Sequence, residues 1–378
     1  MAAFFASIPA MIVLTGALVG IAASLVGTFL VLRRNAMLSD AISHSIVFGI
    51  VVVWLLTRQA SGPVQILGAA LAGLLTVFLT ELLVSSRKVK NDAAIGLVFS
   101  ALFAAGVLLL NLYARDVHID THTVLLGEIG FVWLDTIAIA GVEVPQAVLW
   151  MSLVTLANAL FVGLFFKELK LATFDPQLAQ ALGFAPTALF YALLALTSVT
   201  AVAAFDAVGA VLFIAFVIIP PAAAYLLTDR LALMLVIAAL IAIVSSFAGY
   251  TLAVRFDVSI GGMMAVTTGV FLALAFLFGP RYGLVAQALR AWRRRWLDEL
   301  RALVVHLYDH EDTRFRAEEN VVSALEEHLR WSPAKATAVL ARGRRDGLVA
   351  ADGDHLHLTP KGRALALELT EPWRRAAA

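Results

Sequence analysis

Nine stretches of about 20 mostly apolar residues recur along this 378-residue chain, and each is long enough to cross a bilayer as a helix. They cover residues 8–32, 41–56, 64–84, 93–113, 147–166, 187–205, 207–228, 231–254 and 259–278. In lipid a helix satisfies its own backbone hydrogen bonds, so a chain built this way can only be a bundle of spans. Composition agrees: 15% of residues are charged, against roughly 25% in soluble domains. The charges are also segregated. Residues 1–280 hold 24 of the 55 Lys, Arg, Asp and Glu residues, and 281–378 hold 31. The reading is an all-α polytopic membrane domain over 1–280, a basic-aromatic interfacial linker over 281–295, and a small α+β cytoplasmic domain over 296–378. The first run lacks a basic leader and a small-residue cleavage pattern, so it is read as a retained span. Cysteine is absent, which excludes disulfides, thiolate metal sites and a cysteine nucleophile.

Alternate loops differ in charge. One set carries Arg33, Arg34, Arg87, Lys88, Lys90, Lys167, Lys170, Arg230 and Arg281; the other carries Arg58, Arg115 and Arg255. Positive residues accumulate on the cytoplasmic side. The expected topology has the N-terminus outside and the charged tail in the cytoplasm of a bacterial inner-membrane protein.

Ionisable residues at membrane depth are costly and usually face a cavity or each other. Asp40 and His44 stand four apart at the start of the second span, on one helical face. A carboxylate and an imidazole are a partial shell for Mn(II), Fe(II) or Zn(II). Two copies of such a helix would offer four donors; an ion pair at the helix end is the plainer alternative. Asp206, at the outer end of the sixth run, reads as a solvated helix-end carboxylate or as part of an outer gate. Asp92 is expected to cap the fourth span, and Pro220 and Pro221 to interrupt the seventh. The external stretch 114–145 holds His118, Asp120, His122, Glu128, Asp135 and Glu143. Its apolar middle, 124–139, leaves a re-entrant or interfacial segment open. On the cytoplasmic side, Asp175 with Pro176 can start a short helix in 169–186 that Gly183 ends. Such a helix between two spans is either an ordinary loop helix or a docking element.

No GxxxxGK[ST] phosphate loop and no HExxH signature occurs, so any ATPase driving transport must be a separate polypeptide. Five segments in order then resemble the permease subunits of the ABC-3 family. They are Leu38-Ser-Asp-Ala-Ile-Ser-His-Ser, Asn91-Asp-Ala-Ala-Ile-Gly-Leu, Leu125-Leu-Gly-Glu-Ile, Phe174-Asp-Pro-Gln-Leu-Ala-Gln-Ala-Leu-Gly, and Val199 to Tyr225 through Val208-Gly-Ala-Val-Leu. The resemblance covers about residues 10–280. It implies that Asp40 and His44 bind the transported metal, and that Phe174, Asp175, Leu178 and Gly183 belong to a helix coupling the permease to its ATPase. It also implies a second permease copy, an ABC ATPase subunit that holds ATP, and an extracytoplasmic protein that delivers Mn(II), Zn(II) or Fe(II). No permanently bound cofactor is expected. This chain departs from the family pattern at Ser39, where glycine is usual, and at Phe48, where proline is frequent.

The tail opens on Arg290-Ala-Trp-Arg-Arg-Arg-Trp, suited to lipid headgroups. Helices are predicted over 296–310, 317–329 and 333–345, then a hairpin turning at Asp352-Gly-Asp, then a helix from Pro360. This order resembles a winged-helix domain of the DtxR-like repressors, with Lys335, Arg342, Arg344 and Arg345 on the third helix. Yet the tail has 17 basic and 14 acidic residues, weak attraction for a polyanion. Protein contact or regulation is therefore expected ahead of DNA binding. His306 and His310 share a helical face and, with His355 and His357, are candidates for a metal-sensing site. Two further functions compete with an ATP-driven importer: a proton-coupled carrier using Asp40 and His44 as a relay, and a membrane-tethered regulator.

Overall fold

The computed structural model describes residues 7–58, 63–113, 127, 129–139, 142–314 and 316–377. His118, Asp120, His122 and Glu128, and the side chain of Asp206, lie outside the described residues. Among the described residues, nine helical segments are long and apolar enough to cross a membrane. The chain divides into two compact units, Met1–Gly283 and Leu284–Ala378.

Helix α1 (Ile8–Leu32) is the centre of the first unit. Small residues on its faces let neighbours approach until backbones touch. A Cβ on Gly20 would lie 2.7 Å from the Ala242 methyl, and one on Gly27 would lie 2.0 Å from the Val217 carbonyl oxygen. Helices α2 (Met37–Thr57), α3 (Pro63–Ser85) and α4 (Asn91–Tyr113) pack as a group. Gly49 of α2 lies on the Gly68 carbonyl of α3, and Gly106 of α4 lies on the Phe48 backbone. Helix α4 starts at Asn91, so Asp92 sits in its first turn instead of capping it. Where the sequence left a re-entrant segment open, the described residues form a 3-10 turn at Ile129–Phe131 and an antiparallel hairpin. Its strands are β1 (Thr136–Ile139) and β2 (Val142–Pro145).

Helix α5 (Gln146–Leu164) leads through two short helices, α6 (Phe166–Phe174) and α7 (Pro176–Ala181), into α8 (Pro186–Leu227). A straight helix of 42 residues would run about 63 Å, twice the hydrocarbon core. It is instead two antiparallel spans. Leu32 borders Pro186 and Phe190 near the start of α8 and packs beside Ala224 near its end. The reversal occurs at Gly209, whose φ of 75° and ψ of 170° are non-helical and accessible essentially only to glycine. Helix conformation continues through Pro220 and Pro221, which the sequence suggested as the interruption. Gly127 (φ 63°) lies against the Val208–Gly209 backbone, leaving no room for a Cβ. Two of the sequence motifs thus meet at one turn. Helices α9 (Leu231–Phe256) and α10 (Ile260–Phe278) complete the bundle.

The loops rich in positive charge gather at one end of this unit. Arg33 donates to the Ala172 carbonyl (2.8 Å) and stacks on Phe190, Asn91 donates to the Asn35 side chain (3.1 Å), and Arg281 pairs with Asp229.

The second unit begins within the stretch read as a linker, which is helical: α11 runs Leu284–Glu311. Its Leu300, Leu303, Val304 and Leu307 build a core with Leu325, Val339, Leu340, Leu356 and Leu358. The predicted second helix is broken in two, α12 (Arg316–Glu319) and α13 (Val322–His328). Asn320 breaks it by bonding elsewhere: its side chain donates to the Leu307 carbonyl, and its own carbonyl accepts from Leu356 N–H (2.7 Å). Val321 is extended and bridges His355. Then come α14 (Pro333–Arg345), the hairpin β3 (Val349–Asp352) and β4 (His355–Leu358), and α15 (Pro360–Ala377).

Candidate metal path and coupling face

Asp40 and His44 lie in the first two turns of α2, where the i, i+4 spacing brings Nε2 of His44 to 3.4 Å from Oδ1 of Asp40. Each side chain is about 30% exposed (29% and 31%), so the pair is neither sealed in the core nor free in solvent. The imidazole is flanked from α4: Phe99 stacks on it at 5.6 Å between centroids, and Phe103 meets it edge-on at 5.9 Å. The two rings fix its position, while the neighbouring hydroxyls are turned inward. Ser39 donates to the Ala36 carbonyl and Ser43 to the Ser39 carbonyl (2.6 and 2.7 Å), which leaves the carboxylate and imidazole as the polar groups on this face. Helix α2 is continuous through Phe48 and Gly49, so the replacement of a family proline produces no break there. One chain brings two donors, an oxygen and a nitrogen, fewer than the four to six a transition metal takes.

The short helix α7 is built as its sequence reads. Asp175 accepts from the Leu178 N–H at 2.9 Å, Pro176 occupies the first helical turn, and Gly183 follows with φ 85°. Apolar residues on and flanking it face outward: Phe174 and Leu182, at either side, are both 61% exposed, and Leu178 is 46% exposed. Ala179 is buried and anchors the helix on the bundle. Beside it is a cavity of about 440 Å³ lined by Arg33, Arg34, Glu81, Thr173, Pro176 and Phe190, among others. Glu81, bonded by the Tyr191 hydroxyl, was not singled out from the sequence. Its signal was available, since it is the one acidic residue in the third apolar run. Asp206 lies in α8 three residues before the Gly209 turn, at the opposite end from Arg33.

Among the described residues, nine apolar helices, one of them carrying an Asp–His pair, define an integral membrane protein. Residues 7–279 match the ABC 3 transport family. The chain is 47% identical over 356 residues to the zinc transport system membrane protein TroD of Treponema pallidum, covering 94% of this chain and 97% of that one. It is 48% identical over 285 residues to the manganese transport system membrane protein MntD of Bacillus subtilis, covering 75% and 96%. Among solved structures it is similar to PsaBC from Streptococcus pneumoniae in complex with Fab, at 28% identity and a TM-score of 0.61, covering 72% of this chain and 92% of that one. The chain belongs to the ABC 3 transport family.

Proposed function

We propose that this chain is the permease subunit of an ATP-driven importer of divalent transition-metal ions, manganese(II) foremost, with zinc(II) and iron(II) as alternatives. The observation that carries the reading is the Asp40–His44 pair, held 3.4 Å apart beside two phenylalanines within a helix that has no other ionisable residue. The names of the relatives, zinc and manganese transport proteins, support the cargo class. Oxygen and nitrogen donors without cysteine favour Mn(II) over softer ions. Two donors per chain leave the ion undercoordinated, so a second copy contributes its own Asp40 and His44 across a shared axis. An extracytoplasmic binding protein delivers the ion. A separate ATPase docks on the apolar face of Phe174, Leu178 and Leu182, and the basic loop ends face the cytoplasm. Membership in an ABC family argues against the proton-coupled carrier.

The test is uptake of Mn(II) and Zn(II) by proteoliposomes that hold the permease with its ATPase. Asp40→Ala and His44→Ala should each abolish uptake in a complex that still assembles. Uptake near the unmodified level in both variants would remove the pair from the path.

A further inference from the structure

A second group of metal-type donors lies in the unit Leu284–Ala378, independent of Asp40 and His44. His306 and His310 project from the last turns of α11, with ring centroids 4.9 Å apart. The break at Asn320 ends α12 at Glu319, and one donor atom from each of His306, His310 and Glu319 lies within 4.8 Å of the others. All three are half-buried. His306 is held by the Glu319 carbonyl, 3.2 Å from Nε2. A carbonyl only accepts, so Nε2 carries the proton and Nδ1 keeps the lone pair that a cation needs. His328 of α13 closes the fourth side, with Nδ1 2.5 Å from Oε2 of Glu319. The histidines 355 and 357, grouped with these on sequence grounds, are instead exposed on β4.

We propose that His306, His310 and Glu319 form a binding site for a divalent transition-metal ion, with His328 orienting the carboxylate. Two imidazoles and one carboxylate are a donor set that such ions take, with positions left for water. Donors around one such ion stand a little over 3 Å apart, so small side-chain rotations close the present spacing. The ion clamps the end of α11 to α12, and so holds the Asn320 break that pairs with β4. Metal binding and the fold of this unit are therefore linked. Zn(II) binds such a site more tightly than Mn(II).

The test uses the untagged full chain in detergent, with Asp40→Ala and His44→Ala in place to remove the membrane pair. Equilibrium dialysis against Zn(II), read by elemental analysis, should show one retained equivalent. His310→Ala or Glu319→Gln should weaken retention at least tenfold, and His328→Gln, which disturbs only the orienting contact, by about tenfold. Retention unaffected by His310→Ala and Glu319→Gln overturns the proposal, as does failure of the parent chain to retain zinc. Should a variant unfold the unit, X-ray absorption of zinc on the parent decides: scattering from two imidazoles is expected, and its absence overturns the site.

Discussion

A methyl group at position 27 would sit 2.0 Å from the Val217 carbonyl oxygen, and neither backbone can yield without moving a span. Gly27→Ala therefore forces α1 from α8 at a cost of about 1–3 kcal/mol. The melting temperature of the detergent-solubilised chain should fall. Gly163, near the end of α5, has nothing within 4 Å of where its Cβ would be. Gly163→Ala should be neutral or stabilising, by up to about 1 kcal/mol. Equal effects at the two positions would mean that close packing on α1 is not what holds the bundle. The same distinction explains which site residues were readable in advance. Asp40 and His44 are four apart on one helix, so local geometry alone places them together. Glu81 and Tyr191 are 110 residues apart and meet only because α3 packs on α8. His306 and His310 were legible as a pair for the same local reason, but Glu319 was not. Its place depends on the Asn320 side chain reaching Leu307.

At the scale of elements, α7 and the Gly209 turn make separate predictions. Leu178 N–H donates to Asp175, so Leu178→Pro removes the capping bond as well as an outward apolar side chain. Co-purification with the ATPase and metal-stimulated ATP hydrolysis should both be lost, while membrane insertion is kept. Retained ATPase binding would put docking elsewhere. Gly209→Ala forces a side chain into backbone geometry that costs on the order of 1–3 kcal/mol. Folded yield after membrane extraction should drop, whereas Gly96→Ala, with open space around it, should leave yield unchanged. The turn itself was half legible: two apolar runs meeting near Asp206 already required a reversal. Which residue makes it was not, because the two prolines carry the stronger local signal. They are tolerated because a span packed among neighbours keeps its helical path despite the missing donors.

For the molecule as a whole, the two units predict separable roles. A chain ending after Gly283 keeps all nine candidate spans among the described residues and the Asp40–His44 pair. It should insert, assemble with its ATPase and transport metal, with the change confined to how transport responds to metal held by the second unit. A correctly assembled truncation that cannot transport would make the tail part of the translocation machine. The tail should also bind DNA only nonspecifically, with steep loss at physiological salt. Two cations of its α14 are already engaged: Lys335 pairs with Glu299 (2.6 Å), and Arg342 lies over the Trp296 ring and near Asp346. Sequence-specific binding that resists salt would overturn this.

Hydropathy and local spacing determined the spans, the helix that Asp175 caps and the Asp40–His44 pair, because each depends on residues within a few turns of one another. Lipid reinforces this, since a long apolar run there has few alternatives to a helix. What needed the tertiary structure is every feature in which distant segments compete with local preference. Gly127 meets Gly209 because a loop seats in a turn; Asn320 abandons its helix for a carbonyl on α11; and Glu319 thereby comes to stand beside two histidines. In each case a packing or hydrogen-bond partner far along the chain outweighs the propensity of the segment, and only the folded chain brings that partner near.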